Sequence, residues 1–215
     1  MHCGLDLTKL HDAAQYRLMR IKFRYTSTSR LPREDHGLVI SYVVLELDNL
    51  IISTLRQFTI SSLRRARTVR GHRVSVNHDF GPEGEIGAYV LSILNTAKYN
   101  RHKPITIKRE DEPTVRNPKE TEKILMSCGA SNLPSLQKAL ALNATVFRDI
   151  ATVRNFYAHR NENTSTKVRN QARNIGIPVI RHPDELVKGV IIGRPVSVFE
   201  DWLTDTQLFF EELMK

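Results

Sequence analysis

The chain has 215 residues, 40% of them hydrophobic and 26% charged, with a formal net charge of +9. That length buries a real core in one domain with room for a subdomain, and the balance is that of a folded soluble chain, which excludes a disordered or collagenous one. The positive charge favours polyanionic partners, nucleic acid first and an anionic membrane surface second. Cys3 and Cys128, the two cysteines, match no zinc spacing, so a reducing compartment fits and a disulfide framework does not. Met1 is followed by a polar, basic segment, and no signal peptide is expected.

Residues 5–25 read as a basic helix, broken by the run Thr26-Ser27-Thr28-Ser29 and by Pro32. A long helix is predicted over 36–67, where Leu38, Tyr42, Leu45, Asn49, Ile52, Arg56 and Ile60 follow a helical spacing with apolar residues on both sides. Within it, GLVISYVVLELDNLII (37–52) is the most apolar run; it carries Glu46 and Asp48 and reads as a core helix, not a membrane span. Residues 72–77 alternate like a short strand that ends at Gly81-Pro82. A helix over 82–99 would turn Ile86, Tyr89, Val90, Ile93 and Leu94 inward, and the charged segment 100–117, with Pro104 and Pro113, reads as an exposed insertion.

Pro118 opens a further helix that should end near Cys128-Gly129. Asn132-Leu133-Pro134 opens the next, predicted to run unbroken over 134–159, and a short helix is expected over 165–175. Pro178, Pro183, Gly189, Gly193 and Pro195 make 177–196 irregular, with VIIG as a strand. Ser197 caps a last helix whose apolar side holds Phe199, Trp202, Phe209 and Phe210. The expected fold class is all-α: a helical bundle with a long irregular insertion that holds some β structure. The expected division is a basic helical extension over 1–35 and a bundle over 36–215, with insertions around 71–82, 100–117 and 177–196.

The stretch VRNFYAHRN (153–161) carries the chemistry. On a helical wheel over 134–159, Leu136, Leu140, Phe147 and Ile150 form an apolar stripe, broadened by Val146 and Val153. A second stripe, Ala141, Thr145, Arg148, Thr152, Asn155 and His159, is small and polar and faces solvent, a partner subunit or a ligand. Asn155 and His159 are neighbours one turn apart. Arg154 projects near the middle of the apolar stripe, where a guanidinium must be paired or must reach an opening. Two readings stand: a long arginine snorkelling out of the last turn, or an arginine held by a carboxylate of another helix and aimed at an anion. Glu46 and Asp48 are the acids placed for the second reading.

Arg154-Asn155-Phe156-Tyr157-Ala158-His159 resembles the R-x4-H signature of HEPN domains (higher eukaryotes and prokaryotes nucleotide-binding). In that family a polar residue, often asparagine, follows the arginine, and an acid on an early helix accompanies the motif. The resemblance covers the bundle from about residue 36 onward. It implies a helical bundle and a metal-independent endoribonuclease without cofactor, acting as a homodimer that brings two motifs over one cleft. The cytoplasmic location expected rests instead on the cysteine usage and on the expected lack of a signal peptide and of a membrane span. It also implies a toxin or anti-phage defence effector with a neutralising or sensor partner. Some members are modified on a tyrosine two residues beyond the histidine; here His159-Arg160-Asn161 departs from that H-x-Y pattern.

The residue types suit RNA cleavage. RNA carries its own nucleophile, the 2′-hydroxyl; a histidine titrates in the range for base or acid, and an arginine offers a fixed fork of donors to phosphate oxygens. His159 is therefore the candidate base or acid, Arg154 the phosphate ligand and Asn155 the residue that positions either. Arg160 is a further phosphate candidate or a solvated helix-end charge. Arg64, Arg65, Arg67, Arg70 and Arg73 put five arginines into ten residues, a run that either tracks an RNA backbone or solvates a helix end.

Other signals are weaker. Gly81, Gly84 and Gly87 have neither dinucleotide nor P-loop spacing. His72 and His78 lack a second ligand pair, and no metal site is expected. The apolar side of the basic N-terminal helix is modest, so it is expected to pack on the bundle and not on a membrane. The alternatives to a nuclease are a non-catalytic helical RNA- or nucleotide-binding module and an interaction scaffold in which Arg154 is a structural ion pair.

Overall fold

The computed structural model describes residues 6–177 and 179–215. Among these it has ten α-helices: α1 (Leu7–Ser27), α2 (Arg33–Leu63), α3 (Glu83–Leu94), α4 (Thr96–His102), α5 (Pro118–Ser127), α6 (Leu133–Ala141), α7 (Val146–His159), α8 (Glu162–Asn174), α9 (Pro183–Lys188) and α10 (Val198–Leu213). The all-α class is as the sequence predicts. Cys3, Pro178 and the expected helix start at residue 5 lie outside the described residues.

The chain divides into two compact units, one of residues 1–14, 52–143 and 209–215, the other of residues 15–51 and 144–208. In the first, α3 packs against α5 and α5 against α6, and Leu55, Phe58, Ile124, Leu136, Phe209 and Phe210 are all buried. Asn117 and Glu120 form a reciprocal capping box that, with Pro118, starts α5 where the sequence places it. The helix expected over 82–99 is interrupted: Asn95 leaves helical geometry and its side chain accepts from the Lys98 N–H to start α4.

The strand expected over 72–77 is not one, and the β-containing insertion is corrected with it. Arg67 and Arg73 form an isolated antiparallel bridge, and no strand occurs among the described residues. The alternation is real, since Val74 and Val76 are buried. The next backbone groups turn elsewhere, however: Asn77 N–H donates to the Cys128 carbonyl (2.9 Å) and Ser131 N–H to the Ser75 carbonyl (2.9 Å). The second expected strand, at VIIG, is likewise a single bridge between Val190 and Ser197, and the segment 177–196 contains α9.

A polar device ties the first unit. Arg56 donates through Nε and Nη2 to Glu112 (2.7 and 2.9 Å) and contacts Glu83 at 3.4 Å. The Arg56 and Glu112 side chains are only 12% and 8% exposed, whereas Glu83 is 41% exposed. Removing one partner of a buried pair is costly, and an exposed pair contributes little. Glu112→Ala is expected to lower the unfolding free energy in urea by about 3 kcal/mol, and Glu83→Ala by under about 1 kcal/mol. Equal effects would contradict this ordering.

In the second unit, Ile40, Val43, Leu47, Val153, Phe199 and Trp202 are buried. The Tyr25 ring lies 4.7 Å from that of Phe199, and its hydroxyl donates to Ser197 Oγ (2.9 Å). By length and composition α2 is apolar enough to cross a membrane, and 56% of its most apolar window is buried, as in a core helix.

The helix expected over 134–159 is two. α6 stops at Ala141, Asn143 adopts a left-handed conformation (φ 50°), and α7 restarts at Val146. The new N-terminus is satisfied from α10: Asp205 Oδ2 accepts from Thr145 N–H (2.6 Å), Thr145 Oγ1 (3.0 Å) and Val146 N–H (3.3 Å). The carboxylate satisfies those orphan donors and opposes the positive end of the helix. The single wheel over 134–159 is thereby corrected: Leu136, Leu140 and Ala141 belong to α6, and α7 buries Val146, Asp149, Ile150, Val153 and Tyr157.

Candidate active site

α7 presents the motif on its last two turns. It ends because Arg160 takes a left-handed conformation (φ 43°) and returns its N–H to the Phe156 carbonyl. Asn161 then caps α8, accepting from Thr164 N–H while Thr164 Oγ1 accepts from the Asn161 N–H. Arg160 is exposed and occupies a position that suits glycine. Arg160→Gly is expected to leave thermal stability unchanged or to raise it by about 0.5 kcal/mol. A clear loss of stability would give the Arg160 side chain a structural role that its exposure denies.

Arg154 lies at the edge of the buried face of α7. Its Nε is 3.3 Å from Asp48 Oδ2, with side-chain exposures of 29% for the arginine and 1% for the aspartate. The Nε makes no aligned hydrogen bond, so the contact is electrostatic. Nη1 donates to Asn155 Oδ1 (3.2 Å). Asp48 thus holds the guanidinium from beneath, and Asn155 draws its tip toward the helix face that carries His159.

Glu46, the other acid considered, pairs with Arg17 (3.1 Å). Two residues along α2 point about 200° apart, so the two acids serve different neighbours. Asn155 uses its oxygen on Arg154, which leaves its NH2 group as the donor of that side chain. It is half-buried, and His159, one turn on, is exposed.

Sequence reasoning missed a set of neighbours. Tyr157 is buried and its hydroxyl donates to Asp184 Oδ1 (2.6 Å). Burial first, and then the Asp184 charge, push its phenol far above the ordinary value. This bond ties α7 to the first turn of α9. His182, the N-cap of α9, accepts from Asp184 N–H (3.3 Å), and its ring meets the edge of Phe156 at 5.7 Å. A second imidazole is therefore packed on the motif helix. The local signal was His182-Pro183-Asp184-Glu185, a helix start with proline at its first position; the packing partner was not legible.

The arginine run belongs to the first unit. α2 ends at Leu63; Arg64 and Arg65 close its end, donating their N–H groups to the Ile60 and Ser62 carbonyls, and the rest of the run lies on the loop after it. Arg64, Arg67, Arg70 and Arg73 are exposed, whereas Arg65, in a left-handed conformation (φ 58°), pairs with Asp79 (2.7 Å). Among the described residues no group of three or more His, Cys, Asp or Glu side chains converges.

The arrangement is an anchored guanidinium, an amide donor and an exposed imidazole on adjoining faces of one helix end. Those groups have the chemistry that anion binding and proton transfer require. No family model, curated protein or solved structure matches the chain.

Proposed function

We propose that the protein is an endoribonuclease that needs no metal and that His159, Arg154 and Asn155 form its site. The observation that carries this reading is the Arg154–Asp48 pair, because a solvated helix end has no use for a buried carboxylate beneath its arginine. The R-x4-H resemblance of residues 154–159 points the same way. In this reaction the 2′-hydroxyl attacks the adjacent phosphorus as a base takes its proton, and a cyclic phosphate forms. The bond to the 5′ oxygen breaks, and an acid protonates that leaving oxygen. Arg154 bears on the pentavalent phosphate through donors held in place before reaction, and Asn155 orients it.

One motif supplies one imidazole at His159. A homodimer that brings two motifs together supplies both base and acid, which is the physical reason for expecting one. The setting proposed is the cytoplasm, and the role the resemblance implies is a toxin or defence effector with a neutralising partner. A second reading, RNA binding without cleavage, is favoured by the exposed Arg64, Arg67, Arg70 and Arg73. The two part on substrate chemistry. A single-stranded RNA should be cut and the same sequence in deoxyribose left whole, since only the first has the nucleophile. Equal cutting of both would remove the 2′-hydroxyl mechanism, and binding with no cutting of either would favour the second reading.

A further inference from the structure

A groove of about 540 Å³ runs between α7 and α8, within the roughly 300–1,000 Å³ range of small-ligand sites. Arg148 and Thr152 line it from α7, and Lys167, Asn170, Gln171 and Asn174 line it from α8. Three features point to an occupant. Arg148, Thr152, Asn155 and His159 succeed one another at steps of four, three and four, so the groove and the motif share one stripe of α7. Thr152 and His159 are about 10 Å apart along the axis.

The α8 wall is built of carboxamides, each both donor and acceptor, the chemistry that reads base edges. The third feature is Gln171. Its Nε2 donates to the Asp149 carbonyl (3.0 Å), which fixes the amide, while its buried Oε1 has no partner among the described residues. A buried acceptor left unmade is costly; it has almost no accessible surface, so a ligand N–H reaches it only where the amide tips into the groove. Arg148 forks onto Asp149 through Nε and Nη2 (2.7 and 2.9 Å), so Lys167 provides the net positive charge of the groove.

We propose that the groove binds one nucleotide, its phosphate at Lys167 and its base edge against Asn170, Gln171 and Asn174. On the ribonuclease reading, on which this rests, the nucleotide belongs to the RNA strand that continues to His159. The groove then sets which base stands next to the cleaved bond.

The test uses the full-length His159→Ala protein, which leaves RNA whole, and four labelled single-stranded homo-oligoribonucleotides of A, C, G and U. Adding Lys167→Ala should weaken all four several-fold and about equally, as loss of a phosphate contact does. Adding Asn170→Ala and Asn174→Ala together should cost the best-bound oligomer about tenfold and leave the weakest unchanged, so that the base preference flattens. Displacement of the oligomer by the matching mononucleotide at similar concentration would assign the groove to free nucleotides, and failure to displace it would assign it to a strand. Unchanged affinity and preference in these variants, or no binding of any oligomer, would overturn the proposal. A flattened preference in a protein whose wild type cuts no RNA keeps the groove and removes the catalytic reading. Cutting by wild type with unaltered preference does the reverse.

Discussion

Arg154→Ala is expected to lower the unfolding free energy by about 3 kcal/mol and to reduce RNA cleavage by a factor of about 10² to 10³. The stability loss comes from removing the cation beside a carboxylate that is 1% exposed. Asp48→Ala takes away the other half of the pair, but Arg154, at 29% exposure, can turn to water, so its cost should be nearer about 1–2 kcal/mol. The double variant should be more stable than the sum of the singles implies, because removing both charges leaves neither to be solvated. Urea unfolding of the four proteins measures this. Losses that add without coupling would mean that the pair does not hold the arginine. Asp48 acts through Arg154, so Asp48→Ala should cut activity less than Arg154→Ala does.

His159→Ala separates chemistry from folding. The side chain is exposed on the last turn of α7, and such substitutions usually change stability by no more than about 0.5 kcal/mol. A general base or acid contributes about 10² to 10⁴ in rate, and that loss is expected with an unaltered unfolding midpoint. His182→Ala, made beside it, gauges the second imidazole on Phe156: a smaller rate loss would mark it as a positioning residue, and an equal one would place it in the proton transfer.

Much of the fold was legible because its determinants are local. Asn117, Pro118 and Glu120 start α5 through contacts within one turn, and the wide apolar pattern around Leu47 marks α2 as a core helix, with Val43, Leu47 and Leu50 buried. Where determinants are distant, the reading failed. Nothing in 142–145 announces that Asp205, 60 residues on, will cap a new helix, so α6 and α7 read as one. Val74 and Val76 alternate correctly, but a strand needs a partner, and the backbone groups of Ser75 and Asn77 found the loop at 128–131 instead.

The site divides in the same way. The mismatch of a charged residue near an apolar stripe singled out Arg154 and called for an acid. Two acids two residues apart met that need, and only the packing of α2 against its neighbours gives Asp48 to Arg154 and Glu46 to Arg17. Tyr157, Asp184 and His182 escaped notice because a buried tyrosine and a helix cap look ordinary in sequence; their contacts join positions 27 residues apart.

The most direct measurement is the cleavage of a single-stranded RNA in excess EDTA by the wild-type protein and by His159→Ala, with the product ends identified. Fragments ending in a 2′,3′-cyclic phosphate and a 5′-hydroxyl are the predicted wild-type result, and their near-complete loss is the predicted result for the variant. Intact RNA with the wild type, or equal cleavage by both proteins, would contradict the assignment of the 154–159 segment as a ribonuclease site.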